Sequence, residues 1–359
     1  MAHLRDIAQR AGVSTATVSH VLNGSRYVHP ATVERVLKAV QDLNYKPNML
    51  ARSLRRRETR TIGLLVSDIE NPFFTEVARV VETTAYERGY NVILCNTDED
   101  VAKEVLYVDV LFAKQVDGLI LAPAPGDHSF LRTYLNDGAQ VVLVNRYTPD
   151  LPAASVVSDD EEAMYTLASR LLESGHRHLG AITGLETVTT TQQRLVGLRR
   201  ALDEHGLKLD NVWLFPGGAR SEGGYQAARA LIEQPQRPTA VIAFNSLMLD
   251  GVLLGLLDLA PYLIRQIEIT GFGYSLVARA CQSCSYYVAQ PTYQMGRVAA
   301  TLLLDALTGI TPLKAERIIL KNQLVEFSAM SGPVPNRAAT DRDTSSMVPL
   351  LSSGTVNAA

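Results

Sequence analysis

The chain has 359 residues, of which 47% are hydrophobic and 20% are charged, with 34 Lys and Arg against 37 Asp and Glu and only three cysteines. This length predicts two or three domains at about 100–200 residues each, and the composition excludes collagen-like, wholly disordered and disulfide-scaffold proteins. No apolar run approaches the roughly 20 residues that span a bilayer, and the N-terminal segment has no apolar signal sequence, so we expect a soluble, cytoplasmic protein without a membrane partner.

Positive charge is concentrated at the N-terminal end of the chain. Residues 1–60 hold 11 Lys and Arg against 4 Asp and Glu, a balance of +7, whereas the other residues hold 23 against 33, a balance of −10. A small basic segment on a larger acidic body is typical of proteins that bind a polyanion through that segment alone. A merely solvated surface would give the same asymmetry, so the helical pattern has to distinguish the two.

Three short amphipathic helices are predicted within this basic segment. The first ends at Gly12, the second follows Ser14 as N-cap and ends at Asn23, and the third begins at Pro30. Their apolar positions are Leu4, Ile7, Ala8 and Ala11; Val18, Val21 and Leu22; and Val33, Val36, Leu37, Val40 and Leu43. This order predicts a helix-turn-helix whose second helix enters the major groove of DNA, with a plain three-helix bundle as the alternative.

The run from Leu4 to Asn48 resembles the DNA-binding head of the LacI/GalR family of bacterial transcription regulators, and the likeness extends to about residue 330. The resemblance implies that a homodimer binds a near-palindromic, double-stranded operator. It assigns two kinds of contact to the second helix and its flanks. The base-reading positions are Thr15, Ala16 and His20, and the positions that mainly contact phosphates are Ser14, Thr17, Ser19 and Asn23.

A short basic segment follows Pro47. Residues 48–54 contain good helix formers, but isolated helices of this length are marginal in water, so a basic linker is the plain interpretation. The resemblance instead implies a hinge helix that folds on operator DNA, with Leu54 as an apolar wedge in the minor groove and Arg55 beside it. The expected domains are 1–46 for the helix-turn-helix, 47–60 for the hinge helix and linker, 61–330 for effector binding and dimerisation, and 331–359 for a disordered tail.

From residue 61 short apolar strands alternate with helices, and the order repeats in a second half. Strands are predicted at 61–66, 91–96, 118–122, 141–145, 178–183, 213–215, 240–244, 268–271 and 316–320, and helices at 72–88, 101–114, 193–205 and 293–307. The alternation predicts two Rossmann-like lobes with parallel sheets and a ligand cleft at the carboxyl ends of the strands. The body resembles the family's periplasmic-binding-protein-like regulatory domain, which implies crossings between the lobes near residues 159, 290 and 322.

The body lacks the residue patterns of an enzyme. No Gly-x-Gly-x-x-Gly follows the first strand, and no Walker lysine follows the glycines at 217–218 and 223–224, so we interpret that segment as a loop. Cys281 and Cys284 have Cys-x-x-Cys spacing, but no second pair exists for zinc. We therefore expect a protein that is not an enzyme and has no catalytic residue, metal or cofactor.

Polar side chains at the expected strand ends suit a small ligand. By family resemblance, Arg194 is the bidentate effector anchor, and Phe74, Asn145 and Thr190 match other pocket positions. An ion pair at the surface is the alternative role for Arg194.

Two further pocket positions depart from the family pattern. Family members often carry aspartates where this chain has Ser246 and Gly273, so two pocket carboxylates are missing. We therefore expect Arg194, together with Arg146, to act with less counter-charge than in those family members. That expectation favours an anionic effector, such as a sugar phosphate or sugar acid, over a neutral hexose.

Residues 101–114 are apolar nearly all round the predicted helix, whereas a helix that only covers a sheet keeps a polar outer face. The second apolar face predicts subunit contact in a symmetric dimer. The whole pattern predicts a sequence-specific DNA-binding repressor whose operator affinity changes when a sugar-type effector binds between the lobes. Two alternatives stay open: a corepressor-type response, in which ligand tightens DNA binding, and a sugar-binding transport protein without a DNA function.

Overall fold

The computed structural model describes residues 3–23, 26–45 and 58–327, apart from the side chains of Asn23 and Asn211. The chain separates into two compact units, one that ends at Thr59 and one that begins at Arg60. The predicted hinge helix with Leu54 and Arg55, and the predicted disordered tail at 331–359, lie outside the described residues.

The N-terminal unit contains the helices α1 Leu4–Ala11, α2 Thr15–Asn23 and α3 Pro30–Asp42. α1 ends at Gly12, whose φ of +64° is a left-handed conformation that glycine adopts without steric cost. The buried core of this unit is Ile7, Ala8, Ala11, Val18, Val36 and Ala39. Leu4 and Leu37, which the sequence placed in the apolar stripes, are exposed instead. Ala39 takes an inner position because it lies one turn after Val36 on the same face.

The first lobe of the body is a six-stranded parallel sheet with helices on its faces. Its strands are β1 Thr61–Val66, β2 Asn91–Asn96, β3 Gly118–Leu121, β4 Gln140–Val144, β5 Ala154–Ser158 and β11 Arg317–Leu320. They lie in the order β11-β5-β4-β3-β1-β2. Its helices are α4 Pro72–Glu87, α5 Val101–Ala113, α6 Leu131–Asn136 and α12 Thr292–Leu307. The central strands are buried on both faces, as parallel strands under two helix layers require.

The second lobe repeats this arrangement. Its strands are β6 Leu179–Thr183, β7 Trp213–Pro216, β8 Ala240–Ala243, β9 Glu268–Phe272, β10 Tyr286–Ala289 and β12 Gln323–Glu326. They lie in the order β12-β10-β9-β8-β6-β7, and β12 is antiparallel to β10. Its helices are α7 Asp160–Glu173, α8 Thr189–Glu204, α9 Ser221–Ile232, α10 Ser246–Leu259 and α11 Leu276–Cys281, with two 3₁₀ turns at Leu209–Asn211 and Pro261–Arg265.

The chain passes between the lobes three times: from β5 to α7, from β10 to α12, and from β11 to β12. Two of these segments are joined by hydrogen bonds, because the Asn322 N–H donates to Asp159 Oδ1 at 2.6 Å and Asn322 Nδ2 donates to Asp160 Oδ1 at 3.2 Å. Within the part of the chain that the structure describes, no helix is both long and apolar enough to cross a bilayer.

The predicted fold class, a helical head followed by two lobes with parallel sheets, is confirmed. The interpretation of residues 223–224 as loop is wrong, because both glycines lie in the first turn of α9. A Cβ at Gly223 would lie 1.8 Å from the carbonyl oxygen of Gly217, and one at Gly224 would lie 2.3 Å from that of Met248. Close packing, rather than a turn, explains these glycines. α8 also begins at Thr189, four residues before the predicted start.

Candidate functional site

α2 packs one side against the core of the N-terminal unit and exposes the other. Val18 is fully buried, and the Thr17 N–H donates to Ser14 Oγ at 3.1 Å, so Ser14 caps the helix as predicted. Among the predicted base-reading residues, Thr15 and Ala16 are exposed and His20 is half-buried. The helix therefore presents a surface of short side chains at its N-terminal end, which allows close approach to base edges and phosphates.

The other predicted DNA-contacting residues differ in exposure, and some lie outside the described part of the chain. Ser14 is exposed, and Thr17 and Ser19 are half-buried beside the exposed surface of α2. The Asn23 side chain, Leu54 and Arg55 lie outside the described residues. The structure thus places seven of the nine predicted DNA-contacting residues on one helix and its cap, and it describes the side chains of six of them.

A cleft lies in the body where residues that follow strands of both lobes meet. Its empty volume, counted out to the open mouth, is about 560 Å³. The lining residues are Asp68, Asn71, Phe73, Phe74, Glu99, Asn145 and Arg146 from the first lobe; Gly184, Leu185, Val188, Thr190, Thr191, Arg194, Ala219, Phe244, Asn245, Ser246 and Met248 from the second; and Gln290 between them. Five of the six predicted effector residues surround this one cavity.

Arg194 lies at the base of the cleft on α8 and is only 6% exposed. Its Nη2 donates to Asp160 Oδ2 at 2.8 Å, and its Nη1 donates to the carbonyl oxygen of Phe244. Its guanidinium carbon lies 3.9 Å from the centroid of the Phe272 ring. Burial lowers the pKa of Arg194, while the Asp160 carboxylate acts in the opposite direction. An arginine stays protonated in proteins, so Asp160 supplies its counter-charge.

Arg146 is neutralised in the same way within the first lobe. Its Nη1 and Nη2 donate to the two carboxylate oxygens of Glu99 at 2.6 and 2.7 Å, and Nη1 also donates to the Pro123 carbonyl at 2.9 Å. Although the two family carboxylates at Ser246 and Gly273 are missing, each arginine has one carboxylate partner, and this weakens the argument for an anionic effector. Glu99 and Asp160 provide this counter-charge from chain positions that the family comparison of Ser246 and Gly273 does not address.

Three buried polar atoms at the cleft have no hydrogen-bond partner among the described residues: Arg146 Nε, Arg194 Nε and Asn145 Oδ1. Asn145 directly follows β4 and has a φ of +65°, a left-handed conformation that is uncommon outside glycine. The unpartnered set consists of two N–H donors and one carbonyl acceptor. A ligand group that both accepts and donates hydrogen bonds would satisfy it.

Of the remaining predicted effector residues, three line the cleft and one does not. Phe74, Thr190 and Ser246 line the cleft, and the Phe74 ring meets that of Phe73 edge-on at a centroid distance of 5.0 Å. Gly273 does not line the cleft. Its φ is +89°, and a Cβ there would lie 3.0 Å from Cβ of Ser246, so the backbone itself opposes a larger residue at this position.

Two acidic residues of the cleft lining were not among the predicted effector residues. Asp68 follows β1 and Glu99 follows β2, so the strand-end rule used for Asn145 would have indicated both of them. Burial raises the pKa of Asp68, although the Glu70 N–H and the Arg220 guanidinium lower it. Arg220, which precedes α9, was likewise not singled out.

The Cys281 and Cys284 pair shows no sign of an activated thiol. Burial raises the pKa of Cys284 to about 12, and its Sγ donates to the Tyr286 carbonyl at 2.7 Å. A thiol in that state is a poor nucleophile near neutral pH. Among the described residues, no group of three or more His, Cys, Asp or Glu side chains is placed to hold a metal ion.

Comparisons with known proteins agree with this architecture. Residues 3–48 match the family described as bacterial regulatory proteins, lacI family, and residues 59–275 match periplasmic binding proteins and sugar binding domain of LacI family. The chain belongs to the LacI family. A curated relative, the HTH-type transcriptional repressor PurR of Proteus mirabilis strain HI4320, is 34% identical over 337 residues, which cover 93% of this chain and 98% of that protein.

Two solved LacI-family structures extend the comparison. The transcriptional regulator CelR in complex with cellobiose is 30% identical, with a TM-score of 0.65, over 91% of this chain and 100% of CelR. The Lac repressor dimer bound to operator and the anti-inducer ONPF is 21% identical, with a TM-score of 0.79, over 90% of this chain and 97% of that one, and it shows the shared fold. The chain is therefore a LacI-family DNA-binding transcriptional repressor with a ligand-binding domain, not an enzyme or a transport protein.

Proposed function

We propose that this LacI-family repressor acts as a homodimer on a near-palindromic operator and is controlled by a neutral, sugar-type effector bound between its two lobes. The exposed side of α2 supports the DNA-binding half of the proposal. The proposed base contacts are Thr15, Ala16 and His20; the proposed phosphate contacts are Ser14, Thr17, Ser19, Asn23 and Arg55; and Leu54 is the proposed wedge.

The proposed dimer places two heads on the two half-sites of the operator. α5 supports a subunit contact because it is apolar on opposite sides. Val108 and Leu111 are buried against the sheet of the first lobe, while Leu106 and Val110, one turn apart, are 57% and 38% exposed. A homodimer contact at this face would cover these two side chains.

The effector chemistry follows from the paired arginines. Asp160 and Glu99 already neutralise Arg194 and Arg146, and Asp68 adds a further acidic side chain to the lining, so an anion would gain little from the cleft. A hydroxyl group can accept from a guanidinium Nε and donate to Asn145 Oδ1. Several hydroxyl groups on a ring that stacks on an aromatic wall fit this pattern, and Phe73 and Phe74 provide that wall.

The test is a fluorescence-anisotropy titration of the full chain on labelled DNA from the promoter beside its own gene, with candidate ligands added singly. The panel contains neutral hexoses, pentoses and disaccharides, their phosphates, and free purine bases as planar competitors. We expect a neutral sugar to change the operator Kd by about fivefold or more. The sign of the change distinguishes an inducer from a corepressor. A response confined to sugar phosphates or to purine bases would reject the proposed effector class.

Arg194→Lys should weaken binding of the effector that this panel identifies by about tenfold or more, since lysine keeps a charge near Asp160 but loses the planar Nε donor. Operator affinity without ligand should stay at the wild-type value. Arg200→Lys is the matched control on the same helix, where Arg200 is 37% exposed and pairs with Glu162 at 2.8 Å away from the cleft. Equal loss in both variants would contradict the assigned role of Arg194.

A further inference from the structure

One side chain of the second lobe forms ion pairs with the first lobe at the edge of the cleft. Arg220 stands immediately before α9, and its Nη1 lies 3.0 Å from Asp68 Oδ2. Its Nη2 donates to the carboxylate of Asp98 and to the carbonyl oxygen of Asp98 at 3.2 Å. Asp68 follows β1 and Asp98 follows β2, so both acceptors belong to the first lobe. By contrast, the ion pairs of Arg146 and Arg194 each stay within one lobe.

The segment that Arg220 holds on the first lobe is strained. Asp98 and Glu99 both have φ values of +59°, a left-handed conformation that is unfavourable for residues other than glycine. Their carboxylates bind two different cations: Asp98 pairs with Arg220 of the second lobe, and Glu99 pairs with Arg146 of the first. Two consecutive residues are therefore held by different cations: Asp98 by the ion bridge between the lobes, and Glu99 by Arg146 of the cleft.

The bridge is also shielded from water on its inner side. The Asp68 side chain is only 5% exposed, whereas Arg220 and Asp98 are 34% and 45% exposed. Asp68 is itself part of the cleft lining, so the residue that binds Arg220 also borders the ligand space. Without Arg220, Asp68 would be a buried charge with no cation paired to it, near the carboxylates of Glu70 and Glu99.

We propose that Arg220 is a positioning residue for effector binding. It holds the two lobes together at the mouth of the cleft and fixes Asp68 and the Asp98–Glu99 turn in the geometry that the ligand meets. A cleft that is already closed by this bridge binds its ligand more tightly, because less ordering remains to be done on binding. The role of Arg220 in ligand affinity rests on the proposed function, in which the cleft is the effector site. The role of Arg220 in holding the lobes together does not depend on that proposal.

Hydrogen exchange of the full chain without ligand, read by mass spectrometry, tests the bridge directly. We expect Arg220→Met to speed amide exchange about three- to thirtyfold in peptides at 67–74, 97–100 and 184–192, with strands β3 and β8 unchanged. Arg220→Lys, which can reach one carboxylate but not both in the planar geometry, should give an intermediate increase.

Lys103→Met is the matched control, because Lys103 Nζ lies 3.2 Å from the Asp98 carboxylate but both groups belong to the first lobe. It should leave exchange at 184–192 unchanged. If Arg220→Met does not fold, Asp98→Asn removes the outer acceptor of the same bridge and should accelerate the same peptides. Wild-type exchange in Arg220→Met or Asp98→Asn, or equal acceleration at 184–192 in Lys103→Met, would overturn the proposal. Because no ligand is present, this result is independent of the effector class.

Discussion

Burial and the chemistry of the partner together determine how readily a side chain in the body of this protein is ionised. Arg194 and Arg146 are buried with carboxylate partners, while Asp250 on α10 is partly buried with a hydroxyl partner, since Ser275 Oγ donates to it. A hydroxyl group compensates an ionised carboxylate less well than a guanidinium does. Burial accordingly raises the pKa of Asp250, and the Ser275 hydrogen bond lowers it by less.

The raised pKa of Asp250 predicts a pH-dependent difference in stability. In the folded chain Asp250 binds its proton up to a higher pH than the ordinary value of 3.8 allows in the unfolded chain. Its contribution to folding is therefore complete below that value and is lost as pH rises through the folded pKa. Asp250→Asn cannot ionise and keeps an acceptor for Ser275, so the variant should gain stability relative to wild type as pH rises from 4 to 7.

Urea-unfolding midpoints of both proteins across that pH range measure the difference, and Asp258→Asn, at an exposed position on the same helix, is the control. A gap between wild type and Asp250→Asn that does not change with pH would show that Asp250 ionises normally in the folded chain.

Local rules account for the residues that the sequence placed well. The Ser14 cap and the Gly12 stop depend on a few neighbouring positions, and both are in place. The charge partners of the cleft arginines could not be obtained that way. Arg146 and Glu99 are 47 residues apart in the chain, and Arg194 and Asp160 are 34 apart, so their pairing exists only once the lobes have folded. A prediction made only from the two carboxylates missing at Ser246 and Gly273 therefore could not include Glu99 and Asp160.

Among the strands, those whose buried positions are all occupied by apolar residues could be predicted from the sequence. Continuous apolar runs such as β1 and β8 were found from the sequence, because strands under two helix layers are apolar throughout. β5 was missed, since its sequence ASVVS includes two serines that are nevertheless buried. α9 was missed because glycines in its first turn favour a loop unless the neighbouring helix is known.

Close packing of α9 against α10 predicts a strong effect at Gly251. A Cβ at this position would lie 2.0 Å from the Ser221 carbonyl oxygen, a backbone atom that cannot rotate away. Gly251→Ala should therefore lower the free energy of unfolding by about 2–4 kcal/mol, even though alanine is favoured over glycine in helices by about 1 kcal/mol. Urea unfolding followed by circular dichroism measures this change. Arg229→Ala, at an exposed position on α9, should change stability by less than about 0.5 kcal/mol, and an equally mild Gly251→Ala would mean that the two helices separate easily.

At the scale of the whole molecule, the two units differ in how their charges meet a ligand. The N-terminal 60 residues carry a net +7 that DNA phosphates can neutralise, whereas the arginines of the cleft are neutralised inside the protein. Binding to a polyanion releases counterions and weakens steeply with salt. Binding of a neutral ligand to groups that are already paired releases none. The proposed function therefore gives this chain one salt-sensitive site and one salt-insensitive site.

This contrast predicts how the two affinities respond to ionic strength. Raising KCl from 50 to 200 mM should weaken operator binding by about 100-fold or more, as expected when several phosphates are contacted. Affinity for the effector should change by less than about twofold over the same range, since screening acts weakly on buried pairs. Anisotropy on labelled operator and calorimetry with the effector, both on the full chain, measure the two responses. A parallel loss of effector affinity would mean that the ligand is an anion and that the cleft arginines exchange Glu99 and Asp160 for it on binding.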